Sequence, residues 1–232
     1  MQQEHGCDVK LLVLHLYSDE TRVTNFGDTA AYPLHMSISN ILGPVRAKAG
    51  NSRWLLAYMP SPKALKTAQK STRVKQRLVE IRHLSLWHVL EPLKVSMRVP
   101  FDIECPDGIT RSCVVRIAFW IADTPEKSKL MLTNGNTCNV CLANDMDGSF
   151  GEIFPSECRY RSMKIVAQRW QRASEAYEVA IAQCHGKGMA EASAILSASK
   201  IKFCVVKPIL YTLPDFSFKS LAFDAMHTLE GV

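Results

Sequence analysis

No apolar stretch of the 232-residue chain approaches the roughly 18 residues that a membrane-crossing helix needs. Residues Met1 to Lys10 lack the basic-then-apolar order of a secretory signal, so none is expected. Internal repeats and low-complexity tracts are also missing. So is any strong imbalance of charge: 28 Lys and Arg stand against 22 Asp and Glu, a net charge of +6. That excess allows a nucleic-acid partner without requiring one. At 47% hydrophobic and 22% charged, the composition excludes a mainly disordered chain and leaves enough apolar matter for a sizeable core. The 8 cysteines are spread over a chain too long to need disulfide staples, so reduced thiols in an intracellular compartment are expected.

What is present falls into α/β order. Val9 to Tyr17 is a continuous apolar run closed by Ser18-Asp19, which suits a buried strand. Tyr32 to Ile41 alternates in part, and Trp54 to Met59 is stopped by Pro60 and Pro62, so two further strands and an antiparallel meander are predicted. From Lys63 to Leu90 there is no Gly or Pro; Leu78, Ile81, Ser85 and Val89 recur at helical spacing and predict a helix. Asp107-Gly108 between two apolar runs is a hairpin signal, and the second run, Cys113 to Ala122, ends at Asp123. Thr124-Pro125-Glu126 then opens a helix. A stripe of Met163, Val166, Ala167, Trp170, Ser174, Tyr177 and Ile181 marks a long second helix with a core-packing face. A shorter helix at Ala190 to Ser199 and a last one from Lys219 complete the pattern.

Four groups of residues carry possible chemistry. Asp19 and Asp123 each close a predicted strand. If the strands are neighbours, two hard carboxylates meet at one edge, where they can hold Mg²⁺; the plainer alternative is that each Asp simply terminates its strand. Cys138 and Cys141 form a C-x-x-C in a loop, half of a tetrahedral Zn²⁺ site, which Cys158, Cys184, His185, His227 or residues beyond Val232 can complete. Two unligated thiols are the alternative. Asp224 and His227 sit three residues apart, as a structural pair or a metal ligand set. Lys63, Lys66, Lys70, Arg73, Lys75 and Arg77 make a basic helix face that can track phosphates or simply face water.

The stretch Leu16-Tyr17-Ser18-Asp19-Glu20-Thr21, with Val23 to Gly27 and Ala31-Tyr32-Pro33-Leu34, resembles the opening of the catalytic core of Plavaka transposases. These are fungal members of the Kyakuja–Dileera–Zisupton and CACTA-like group. The similarity runs on through Ser37 to Ile41, Ala57 to Pro60, Asp107-Gly108-Ile109, Ala122 to Lys127 and Cys138 to Leu142, and ends with Phe223 to Val232. No single motif is specific, but the ordered set is.

The resemblance implies a ribonuclease-H-like mixed sheet with flanking helices, in which the first catalytic Asp lies on the first strand and the second ends the fourth. Asp19 and Asp123 take those places, as ligands of two Mg²⁺ or Mn²⁺ ions that cleave and join DNA. It also implies the C-x-x-C at Cys138 and Cys141 and the Asp224–His227 pair, DNA as partner, self-association and a nuclear location. The implied layout is a tail at residues 1–8, a core at 9–133 containing the basic helix at about 63–90, a C-x-x-C loop at 134–157 and a helical insertion at 158–232. The third acid of the group is expected beyond Val232, so an incomplete core and little or no activity of this chain are expected. The alternative is a non-catalytic DNA- or zinc-binding remnant of a transposable element.

Overall fold

The computed structural model describes residues 8–23, 30–46, 52–60, 71–133, 163–197, 201–202, 204–216 and 221–223. Its centre is a mixed sheet flanked by helices. In chain order the strands are Lys10–Ser18 (β1), Thr21–Arg22 (β2), Ala30–Ala31 (β3), Pro33–Ile38 (β4), Arg53–Tyr58 (β5), Phe101–Glu104 (β6), Thr110–Ala122 (β7) and Leu221–Phe223 (β8). The helices are Gly43–Arg46 (α1), Thr72–Ser96 (α2), Thr124–Met131 (α3), Met163–Lys187 (α4) and Met189–Ser197 (α5), with a 3-10 turn at Ile209–Thr212.

The apolar run at Val9 to Tyr17 becomes the central strand. β1 pairs antiparallel with β4, Leu16 opposite Met36, and parallel with β7, Tyr17 opposite Ile121. The order across the sheet is β5-β4-β1-β7-β6, so the expected meander forms its first half. Leu14 and Leu16 of β1, Leu34 of β4, and Val115, Ile117, Trp120 and Ala122 of β7 join the core. Leu86 and Leu90 of α2, Tyr177 and Ala180 of α4, and Ile209 and Leu210 of the 3-10 turn belong to the same cluster. The α4 stripe packs as its period predicts, with Ala173, Tyr177 and Ala180 buried and Trp170 stacked on Tyr211 at 4.7 Å between ring centroids.

The β6–β7 hairpin turns at Asp107-Gly108. Gly108 has φ +75°, a conformation that disfavours any side chain, although a Cβ there would meet nothing within 4 Å. Asp107 accepts from Ile109 N at 3.1 Å and pairs with Arg111 at 2.6 Å. The Arg111 bond is the main reason its carboxyl is held down at about 2. Gly108→Ala should therefore lose only backbone energy, about 1 kcal/mol. A thermal melt should show a drop of about 2–4 °C; an unchanged melting temperature would mean the turn relaxes freely.

Three expectations need correction. The helix predicted over Lys63 to Leu90 begins at Thr72, after an extended Ser71, and runs to Ser96, with Pro92 inside it. Proline removes the bond to the carbonyl of His88, an exposed residue whose oxygen water can serve, and the helix ends one turn later. The buried face of α2 is also rotated by about one residue: His83, Leu86, Leu90 and Met97 are buried, whereas Ile81 is exposed. The polar His83 sits in the stripe, which hides its phase from a hydrophobicity count. Third, where the pattern predicts a last helix, Leu221–Phe223 form a strand. β8 pairs parallel with β7, Trp120 opposite Leu221. β6 covers β7 only from Thr110 to Cys113, so the far end of that edge offers backbone groups to another strand.

Candidate catalytic edge

β1 and β7 run parallel, so both point their C-terminal ends the same way. Tyr17 faces Ile121, and two residues further along each chain stand Asp19 and Asp123. A buried bond crosses the pair here: Trp120 Nε1 donates to Ser18 Oγ at 2.8 Å, with both residues almost fully buried. The neighbourhood on which the metal expectation depended is therefore present.

Asp123 also does a structural job. It is the N-cap of α3, in extended backbone conformation, and its Oδ1 accepts from Glu126 N at 2.7 Å. This satisfies one of the open amides at the helix start. A carboxylate has about four lone-pair sites on two oxygens, so one cap bond does not exclude a metal from the other oxygen. Both the metal reading and the strand-end reading of this residue survive in the geometry.

Glu126, Lys129, Glu20 and Arg82, none of them a site candidate from sequence, gather at this edge with Tyr32 and His83. Glu126, in the first turn of α3, is buried, and its Oε1 makes no hydrogen bond. Its Oε2 lies 3.4 Å from Lys129 Nζ, and Lys129 Nζ lies 3.7 Å from Glu20 Oε2. Arg82 of α2 places its guanidinium 5.6 Å from the centroid of the Tyr32 ring. Burial pushes Arg82 down from its usual range, and the nearby Glu20 carboxylate partly offsets that shift. The adjacent His83 is fully buried and is lowered to about 4, first by burial and then by Arg82. In sequence, Glu126 reads as an ordinary first-turn acid and Arg82 as one of many basic residues. Neither shows in the sequence that it faces inward.

Burial raises Glu126 to about 7, Lys129 pulls it back, and the Glu20 and Asp19 carboxylates push it up. A glutamic acid raised in the folded state adds stability below its unfolded value near 4.5, and that stability is lost as pH rises through about 7. His83 works the other way: its depressed value adds stability above 6.5, lost as pH falls through about 4. Glu126→Gln removes the first effect alone. Its stability advantage over the unaltered protein should grow from pH 5 to pH 8 by up to about 3 kcal/mol in urea unfolding. A difference independent of pH would show that Glu126 is not held neutral by burial.

Of the expected basic face, Arg73, Lys75 and Arg77 lie exposed on the first turns of α2, with Arg77 bonded to Glu80 at 2.7 Å. Lys63, Lys66, Lys70, Cys138, Cys141, Asp224 and His227 lie outside the described residues. Among the described residues no three His, Cys, Asp or Glu side chains are grouped to hold a metal ion, so the edge offers an aspartate pair and not a complete cage. No helix among them is long and apolar enough to cross a membrane.

The sequence profile of the family described as Plavaka transposase matches residues 2–230. The chain belongs to the Plavaka transposase family. No curated protein matches it. Membership of a transposase family implies DNA as the partner of this Plavaka chain, and its two aspartates stand at the edge just described.

Proposed function

We propose that this Plavaka chain carries the aspartate pair of a transposase active site, with Asp19 and Asp123 as ligands of Mg²⁺ or Mn²⁺ in phosphodiester cleavage and joining. The observation that carries this reading is the parallel β1–β7 pairing, which brings the two strand ends together. An antiparallel meander, a parallel strand beside the first, and a further parallel strand, β8, also support a ribonuclease-H-like core.

The donor chemistry fits: both groups are carboxylates, the hard oxygen ligands that Mg²⁺ and Mn²⁺ prefer. Burial is the main reason Glu126 is raised, and the Asp19 and Glu20 carboxylates add to it, so several acids meet at this edge. Bound there, the ions would supply an activated nucleophile and stabilisation of the leaving oxygen. Around them the chain's own residues hold the frame. The Ser18–Trp120 bond ties the two strands near their ends, and the α3 cap orients Asp123.

The test is nicking of supercoiled plasmid in Mn²⁺, alongside Mn²⁺ binding followed by electron paramagnetic resonance. Asp19→Asn and Asp123→Asn should each weaken Mn²⁺ binding by at least about tenfold, the effect of 1.4 kcal/mol. Mn²⁺ affinity unchanged in both variants would sink the reading in favour of a chain that binds DNA without a metal site.

A further inference from the structure

Resting on that reading, we infer that Arg82 and Lys129 form a clamp for a backbone phosphate of DNA beside the aspartate pair, and that Glu20 fills the clamp until DNA displaces it. Glu20 directly follows Asp19, so its carboxylate stands next to the proposed metal ligands. Two cations attend it from different helices. Lys129 of α3 approaches to 3.7 Å, and Arg82 of α2 lies over the ring of Tyr32, which the Thr21–Ala31 pairing sets beside Glu20.

Each cation has a second support that does not depend on Glu20. The Tyr32 ring lies beneath the Arg82 guanidinium at 5.6 Å, within range of a cation–π attraction. The buried Glu126 gives Lys129 a second contact at 3.4 Å, one that strengthens as the acid ionises through about pH 7. Glu126 is 3% exposed, whereas Glu20 is 35% and Lys129 38% exposed. The inner partner is fixed and the outer one is accessible.

A separation of 3.7 Å is an ion pair without a well-formed hydrogen bond, a contact that another anion can replace. A phosphodiester group has the required chemistry. Its two non-bridging oxygens share one negative charge as a carboxylate's do, and a guanidinium can grip such a group through two parallel N–H bonds. Glu20 thus resembles the ligand it yields to. When it leaves, Tyr32 and Glu126 keep the cations in place.

The test is affinity of the full 232-residue chain for a fluorescein-labelled duplex in EDTA, where no divalent metal contributes. Glu20→Gln should tighten binding by about threefold to tenfold, and Lys129→Gln should weaken it while lowering the salt slope by about one. Removing any acid helps DNA binding a little, so Glu104→Gln, an exposed acid on β6, sets the baseline. The decisive variant is the double one: in a Lys129→Gln background the Glu20→Gln gain should shrink, because half of the clamp is gone. Arg82→Lys, which keeps the charge and loses the fork, should weaken binding with little loss of folding. A Glu20→Gln effect no larger than that of Glu104→Gln, or one undiminished in the double variant, overturns the clamp. Such a result leaves the metal reading standing, since that is judged by Mn²⁺ binding. Loss of the metal reading with the clamp pattern intact would leave a phosphate site without a catalytic neighbour.

Discussion

Asp123→Asn should leave a folded protein that no longer holds Mn²⁺ at the β1–β7 edge, whereas Asp123→Ala should lose both metal and part of the fold. The two substitutions separate the roles that the aspartate combines. As a helix cap, asparagine serves about as well as aspartate, because its side-chain oxygen can still accept from Glu126 N, now 2.7 Å from Asp123 Oδ1. The change removes a negative charge from the helix N-terminus, a loss of about 0.3–1 kcal/mol. Alanine removes the acceptor as well, which costs about 1 kcal/mol more.

Metal binding should respond differently. A neutral amide oxygen is a poorer ligand for a small divalent ion than a carboxylate, and only two acids of this edge are assigned to the site. Both variants should therefore lose at least about tenfold in Mn²⁺ affinity, with plasmid nicking falling alongside. The ordering in urea should be unaltered chain, then Asn, then Ala; the ordering in Mn²⁺ should be unaltered chain far above two nearly equal variants. If Asn retained full Mn²⁺ affinity while Ala lost stability, Asp123 would be a cap and nothing more.

How much of this was legible from sequence depends on the kind of signal. β1, β7 and the Asp107-Gly108 hairpin are visible because a strand packed into the core and positive φ at a turn each demand particular residue types. The two aspartates are visible as strand ends, but their apposition needs the parallel pairing, a non-local fact that no window of sequence contains. The same limit hides β8, whose three residues gain strand structure only from the open far edge of β7. The phase of α2 is hidden for another reason. His83 is buried as a neutral ring, so a polar letter occupies a core position. Glu126 is the clearest case. Its letter suits the first turn of any helix, and its chemistry comes from burial against Lys129 and the neighbouring acids.

Trp120→Ala should be the most destabilising single change at the sheet centre, and Trp120→Phe shows why. The indole is fully buried, has the largest side chain in the core, and donates to Ser18 Oγ at 2.8 Å. Truncation to alanine removes the packing and leaves a cavity, for a loss of about 3–5 kcal/mol. It also leaves a buried hydroxyl without its donor, which adds to the loss. Against a typical total of about 5–15 kcal/mol, much of the chain's stability would be gone. Phenylalanine keeps most of the volume and loses the bond, so a cost nearer 1–2 kcal/mol is expected. The phenylalanine variant is the more informative about function. Ser18 directly precedes Asp19, and Trp120 stands three residues before Asp123. If their bond sets the register at that edge, Trp120→Phe should weaken Mn²⁺ binding although it touches neither acid. A variant that melts lower yet binds Mn²⁺ unchanged would show that backbone pairing alone holds the aspartates together.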